Sequence, residues 1–158
     1  MVGGDARGIY KTLNLDLRNY ERLKMAVHAE RVGYEECRDD ENEINCGQGR
    51  LENGELTVFI RLGTDFVENY YEYEIPLTLS DYDSLLQRNL IPQPGQSASP
   101  EYVEEIWRSE NNFDFPLSWL KEAKIARNNN GFRLDSIYSY FPEGLQDGHL
   151  VKLRGNPT

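Results

Sequence analysis

Two histidines are the first residues in this chain that could take part in acid–base chemistry. His28 lies between Lys24 and Glu30 on the polar side of an alternating run, and His149 lies near the end of the chain. A histidine beside a carboxylate can act as a general base when it reaches the proton that it removes. The sequence places no serine or cysteine nucleophile beside either one, so we expect both to be structural or surface residues.

A dense acidic run could supply oxygen ligands to a calcium ion. Its members are Glu35, Glu36, Asp39, Asp40, Glu41 and Glu43. The run lacks the Asp-x-Asp-x-Asp-Gly spacing of a calcium-binding loop, so we favour a solvated loop. A glycosidase needs two carboxylates at a defined separation, and 27 acidic residues nominate no pair. We therefore expect no enzyme, no metal and no organic cofactor.

The chain has two cysteines, Cys37 and Cys46, in the same polar segment. A disulfide between them would close a short loop, which an oxidising compartment permits. Spacing alone does not show whether the geometry allows the bridge, so a disulfide and two free thiols both stay open. A zinc site is not expected, because no further cysteine and no nearby histidine would complete it.

Several aromatic residues could form a platform that stacks on sugar rings. They are Tyr70, Tyr71, Tyr73, Trp107 and Trp119. In an extended chain, Tyr71 and Tyr73 share a face with Ile75 and Leu77, so we expect core packing for them. Tyr70 points the other way and is the candidate for a surface contact.

The composition makes the chain acidic, with a formal net charge of -10 over 158 residues and a pI near 4.7. Nucleic acids and anionic lipids both require a basic surface, so we expect neither as a partner. No apolar run approaches the roughly 20 residues that cross a bilayer, so we expect no membrane insertion by this piece. The first residues also lack the apolar segment of a signal peptide. At this length we expect a single domain, residues 1–158.

Strict alternation of apolar and polar residues predicts strands at three places, since side chains alternate across a strand. The runs cover Arg22 to Glu30, Glu55 to Gly63 and Asn69 to Leu79. We expect their apolar residues to share one core: Leu23, Met25, Val27, Leu56, Val58, Ile60, Leu62, Tyr71, Tyr73, Ile75 and Leu77. Two further strands are predicted at Phe132 to Tyr140 and Gly148 to Leu153.

Loops and short helices separate these strands. Residues 31–54 read as a long acidic loop, with its least ordered part at residues 35–49, and residues 87–100 as a loop rich in proline and serine. A helix is predicted at Glu101 to Arg108, capped by Ser99, and another at Phe115 to Arg127, ended by Gly131. The pattern favours a mainly β fold: an antiparallel β-sandwich, jelly-roll-like, with one or two inserted short helices.

Several segments together resemble the SprA/Sov family, and they match collinearly up to both ends of the chain. They are Gly4 to Thr12, Leu15 to Met25, Val27 to Glu30, Leu56 to Phe66, Asn69 to Leu77, Asn111 to Asp114 and Gly155 to Pro157. The family comprises very large outer-membrane proteins of Bacteroidetes that form the translocon of the type IX secretion system and are linked to gliding motility.

The resemblance implies that this chain is an extramembrane piece of a much longer protein, at the cell surface or on the periplasmic side of the outer membrane. It also implies protein partners, namely secretion-system subunits or exported proteins. We therefore expect a non-catalytic scaffold or interaction module. The alternative is a carbohydrate-binding jelly-roll module used for adhesion, which a concave sheet lined with exposed aromatic residues would favour.

Overall fold

The computed structural model of the chain describes residues 6–12, 16–30 and 51–157. The strands, in chain order, are β1 (Arg22–Met25), β2 (Thr57–Gly63), β3 (Tyr70–Pro76), β4 (Phe113–Pro116), β5 (Tyr138–Tyr140) and β6 (Leu150–Arg154). The α-helices are α1 (Tyr82–Gln87), α2 (Pro100–Ile106) and α3 (Ser118–Asn129). Cys37, Cys46 and the acidic run from Glu35 to Glu43 lie outside the described residues, as does the segment expected to be least ordered.

The larger sheet has four strands in the order β2-β3-β6-β5, and every neighbouring pair is antiparallel. Because side chains alternate, this main sheet has one apolar and one charged face. The apolar face carries Ile60, Tyr73 and Val151, which lie side by side on β2, β3 and β6. β3 is paired on both sides and is the most buried strand.

A second layer covers the apolar face of the main sheet. It combines α3 with a two-stranded antiparallel ribbon of β1 and β4. The ring of Phe115 on β4 stacks on the ring of Tyr73 with 4.0 Å between centroids and 6° between planes. Leu120 and Ala123 of α3 join the same buried cluster. The core therefore lies between the main sheet and this mixed layer.

The mainly β class is confirmed, with antiparallel sheets of two and four strands and short helices among the described residues. The finer assignment to a jelly-roll sandwich is not confirmed, because the second layer is a ribbon plus a helix. Three α-helices are seen where one or two were expected.

Most of the predicted core is confirmed. Tyr73, Ile75 and Leu77 are buried in the central cluster. The residues that pack against it while partly buried are Leu23, Val27, Leu56, Val58, Ile60, Leu62 and Tyr71. The prediction is wrong for Met25, which is 43% exposed. Met25 is the last residue of β1, a strand in which only Leu23 is partly buried and the other three residues are exposed.

The predicted start of α2 is confirmed. Ser99 Oγ accepts a hydrogen bond of 3.1 Å from the backbone N–H of Tyr102, and Pro100 occupies the first turn, where its missing N–H has no cost. The helix ends at Ile106, slightly before the predicted Arg108.

The predicted start of α3 is wrong. Phe113–Pro116 forms β4, so the helix begins later, at Ser118. Tertiary pairing with β1 decides this segment over its local helical spacing. α3 ends at Asn129, two residues beyond the predicted Arg127. Gly131 lies just after this end, as expected, at φ 62°, a conformation that glycine adopts without strain.

The last two strands are also shorter or shifted relative to their patterns. Of the predicted strand from Phe132 to Tyr140, only Tyr138–Tyr140 pairs in the sheet. The final strand runs over Leu150–Arg154 and passes the predicted end at Leu153 by one residue.

Truncation of Ile75 tests the location of the core. Its side chain is 0% exposed, so Ile75→Ala should lower the free energy of unfolding by about 2–5 kcal/mol through lost burial and a cavity. The matched control is Ile125→Ala on α3, where the isoleucine is 49% exposed and the change should stay within about 0.5 kcal/mol. Urea denaturation measures both, and equal losses would place the core elsewhere.

Candidate functional site

The described residues form a groove of about 1480 Å³. We call it the corner groove, because it lies at the corner where β4 turns into α3. Its lining comprises Asp16, Leu17, Arg18, Tyr20, Glu21, Arg22, Leu62, Gly63, Tyr71, Pro116, Leu117, Ser118, Leu120, Lys121, Lys124 and Pro157.

Three parts of the chain build the corner groove. The paired residues Leu62 and Tyr71 contribute from the apolar face of the main sheet. One side is the first half of α3, and the other is the segment from Asp16 to Arg22. The backbone N–H of Leu117 donates a 2.9 Å hydrogen bond to the carbonyl of Glu21, which ties the two sides together.

One stripe of α3 faces the corner groove. Leu117, Lys121 and Lys124 are spaced by four and three residues, so they lie on one side of the helix. Lys124 Nζ donates a 2.8 Å hydrogen bond to the carbonyl of Pro157. Lys121 makes no ion pair or hydrogen bond with any residue that the structure describes.

The opposite side of the groove holds paired charges. Arg18 binds Asp16 with two hydrogen bonds of 2.7 Å, and these hold the pKa of Asp16 at about 2. Arg22 binds Asp114 at 2.7 Å, and this contact lowers the pKa of that carboxyl. On the helical side, by contrast, Lys121 and Lys124 form no ion pair with a described carboxylate.

The segment Gly155–Pro157 closes the end of the groove and is held by four side chains. The side-chain oxygen of Asn69 accepts a 2.9 Å hydrogen bond from the backbone N–H of Asn156. Lys124 Nζ and the Tyr71 hydroxyl both donate hydrogen bonds to the carbonyl of Pro157. Arg127, only 1% exposed, donates a hydrogen bond to the carbonyl of Gly155.

Only glycine fits at position 155. A Cβ there would lie 2.0 Å from the carbonyl oxygen of Glu68, and φ is 66°. The loop that crowds it is fixed by Asp65, whose carboxylate accepts from three successive backbone N–H groups, of Val67, Glu68 and Asn69. The carboxylate of Asp65 therefore has a structural role.

The other face of the main sheet carries ion pairs. Glu72, 4% exposed, accepts hydrogen bonds from Arg61 at 2.5 Å and from Lys152 at 3.1 Å. Although burial acts to lower it, hydrogen bonds to Glu74 and Glu72 raise the pKa of Lys152. This face is charge-paired and offers no apolar platform.

The expectation of an exposed Tyr70 is wrong. Tyr70 does lie on the face opposite Tyr71, but it is only 3% exposed. The guanidinium of Arg61 covers its ring at 4.2 Å from the centroid. A cation held over an aromatic face excludes water from it, so Tyr70 is a packing residue in this chain.

β2 leaves one edge of the main sheet unpaired among the described strands. The hydrogen bonds from Leu77 N to Leu56 O and from Thr64 N to Asn69 O fix the register. Since hydrogen-bonded pairs recur at every second residue of an antiparallel ladder, the backbone groups of Thr57, Phe59, Arg61 and Gly63 point away from β3. Gly63 also lines the corner groove, so the open edge and the groove are continuous.

The two histidines contact aromatic side chains. The ring of His28 is exposed and lies 5.9 Å from that of Trp107. His149 Nδ1 shares a 2.9 Å hydrogen bond with the Tyr73 hydroxyl inside the core. Trp119 also packs near Tyr73 and is partly buried, whereas Trp107, 51% exposed, is the exposed member of the proposed sugar platform.

Other candidate residues take structural places. Asp81 caps α1 by accepting from the backbone N–H of Ser84, and Asp83 lies in the first turn. In the described ranges, no group of three or more metal-binding side chains comes together. No helix there is long and apolar enough to cross a bilayer.

A family model, SprA_N, described as a motility related/secretion protein, matches residues 1–158, the whole chain. The chain belongs to the SprA_N family. This confirms the resemblance of the sequence to SprA/Sov proteins and makes the chain motility- and secretion-related. A search of curated proteins finds no match.

Sequence reasoning missed the corner groove of this SprA_N chain. The stripe of Leu117, Lys121 and Lys124 was visible as helical spacing, and it marked two lysines on one side of a helix. The opposite side comes from residues about a hundred positions earlier, so only the pairing of β1 with β4 brings them together.

Buried His149 makes stability depend on pH. Burial lowers its pKa from the ordinary value of 6.5. The unfolded chain therefore takes up a proton first, and the free energy of unfolding should fall as pH drops below about 6.5 and stay level above it. His149→Gln should flatten this slope between about pH 6.5 and pH 5 in urea denaturation series.

The control for that series is His28→Gln, which removes the other histidine while leaving the core contact in place. Because the His28 ring is exposed, this variant should keep the wild-type slope. If the slope disappears in His28→Gln and persists in His149→Gln, the assignment to the buried residue is refuted.

Proposed function

We propose that this SprA_N chain is a non-catalytic interaction module of a type IX secretion translocon linked to gliding motility. The observation that carries the proposal is the match of the family over the whole chain. In this proposal the chain lies outside the membrane, at the cell surface or on the periplasmic side of the outer membrane. Its partners are secretion-system subunits or exported proteins.

The open edge of β2 supports a role in protein contacts. The N–H and C=O groups of Thr57, Phe59, Arg61 and Gly63 point outward and can pair with an extended chain. A sheet edge with unpaired backbone groups is a template for a further strand. An exported protein in extended form has the main-chain groups that such an edge pairs with.

A carbohydrate-binding module remains the alternative, and Trp107 is the observation that favours it. Its exposed ring beside His28 could stack on a sugar. Tyr73, which belonged to the expected platform, is buried in the core, and Tyr71 packs partly buried against that core. Binding of the chain to a glycan array that is lost in Trp107→Ala would favour this alternative.

Photo-cross-linking in cells tests the interaction role. Benzoyl-phenylalanine placed at Thr57 of the full-length protein should yield adducts that mass spectrometry identifies as secretion-system subunits or exported proteins. The matched site is Glu143, exposed in the loop before β6 and away from the open edge, where such adducts should be absent. Equal adducts at both sites, or none at Thr57, would contradict a role for this edge.

A proline at the open edge gives a functional readout of the same proposal. Phe59→Pro removes an N–H that faces away from β3 and so spares the β2–β3 ladder, whereas Val58→Pro removes a bond within it. We expect Phe59→Pro to fold yet reduce secretion and gliding, and Val58→Pro to lose stability in addition. Normal secretion and gliding in a folded Phe59→Pro strain would count against strand addition at β2.

A further inference from the structure

We propose that the corner groove binds an extended segment of a partner polypeptide that carries both acidic and apolar side chains. This inference rests on the proposed interaction role and specifies the chemistry of the partner. It uses the described lining residues alone.

The apolar part of the groove accounts for the apolar side chains of the proposed ligand. Leu62 and Tyr71 at the end of the main sheet are only partly buried, although they face the core side. Tyr20 on the opposite side is 55% exposed. An aromatic ring and aliphatic side chains that are left partly open in a concave site give binding free energy when a ligand side chain covers them.

The charge of the groove accounts for the acidic side chains of the proposed ligand. Four cations, Arg18, Arg22, Lys121 and Lys124, line it together with two carboxylates, Asp16 and Glu21. Arg18 is paired with Asp16 and Arg22 with Asp114, so the excess positive charge comes from Lys121 and Lys124. The whole chain has a net charge of -10, so this is a positive site on a strongly acidic protein. Complementary potentials steer the encounter and reject like-charged partners. A basic segment would be repelled inside the groove and an acidic one attracted.

The size and position of the groove favour a polypeptide over a small molecule. About 1480 Å³ exceeds the roughly 300–1,000 Å³ of ordinary small-ligand pockets. The groove also runs into the open edge of β2 at Gly63, whose backbone groups point away from β3. A segment that pairs with this edge places every second side chain on the apolar face of the main sheet, where the groove lies.

The test uses two fluorescein-labelled synthetic peptides, Asp-Phe-Asp-Val-Asp-Phe and Lys-Phe-Lys-Val-Lys-Phe, with fluorescence anisotropy on the whole chain. The acidic peptide should bind at least about tenfold more tightly than the basic one, and added salt should weaken it. Lys121→Glu should weaken the acidic peptide by at least about tenfold. Arg88→Glu, the same change of charge at an exposed site outside the groove, should leave binding unchanged.

A second variant separates the groove from the fold. Tyr20→Ser removes an exposed ring and should also weaken the acidic peptide, while circular dichroism and the urea midpoint stay at wild-type values. Equal binding of both peptides, or acidic binding that Lys121→Glu and Tyr20→Ser leave intact, overturns the inference. So does a dimer in sedimentation that Lys121→Glu dissolves, because the occupant would then be a second copy.

The two proposals fail in different ways. Cross-links from Thr57 to secretion proteins without selective binding of the acidic peptide would overturn the chemistry assigned to the groove and leave the interaction role standing. Absence of cross-links from Thr57, with acidic binding retained in the purified chain, would overturn the role assigned to the β2 edge in the cell.

Discussion

The stacking of Tyr73 on Phe115 is the contact on which the rest of the structure depends. It joins the most buried strand of the main sheet to the ribbon that forms the second layer, with ring centroids 4.0 Å apart. The same tyrosine uses its hydroxyl to hold His149 and its ring edge to contact Phe113. Offset stacking adds to burial in the core, so this cluster fixes where the two layers meet.

The corner groove combines two features that lie apart elsewhere among the described residues. On the charged face of the main sheet, Glu72 forms ion pairs with Arg61 and Lys152, so the charges of these two cations are neutralised within the fold. Lys121 and Lys124 in the corner groove have no carboxylate partner among the described side chains. An available positive charge next to a partly open apolar surface is the physical basis for selecting a ligand there.

Period-2 patterns predicted the main sheet well, because β2 and β3 bury one face and the alternation records it. Ser99 and Pro100 likewise marked α2, since caps are local. Local patterns failed where tertiary pairing decides. Phe113–Pro116 looked like the start of a helix and became β4 because β1 offered a partner. Tyr70 alternates outward as expected, yet Arg61, placed by β2, covers it. The groove depends on contacts between distant segments, which no local pattern records.

The strand order of the main sheet has a kinetic consequence. β2 and β3 form a hairpin from neighbouring residues, whereas β6 joins β3 only after the chain from Leu77 to His149, with all three helices and β4, has been made. Closing so long a loop is entropically costly and slows folding. During synthesis the β2–β3 hairpin therefore waits with both edges unpaired until Leu150–Arg154 emerges. The chain is therefore most prone to mispairing before β6 is complete.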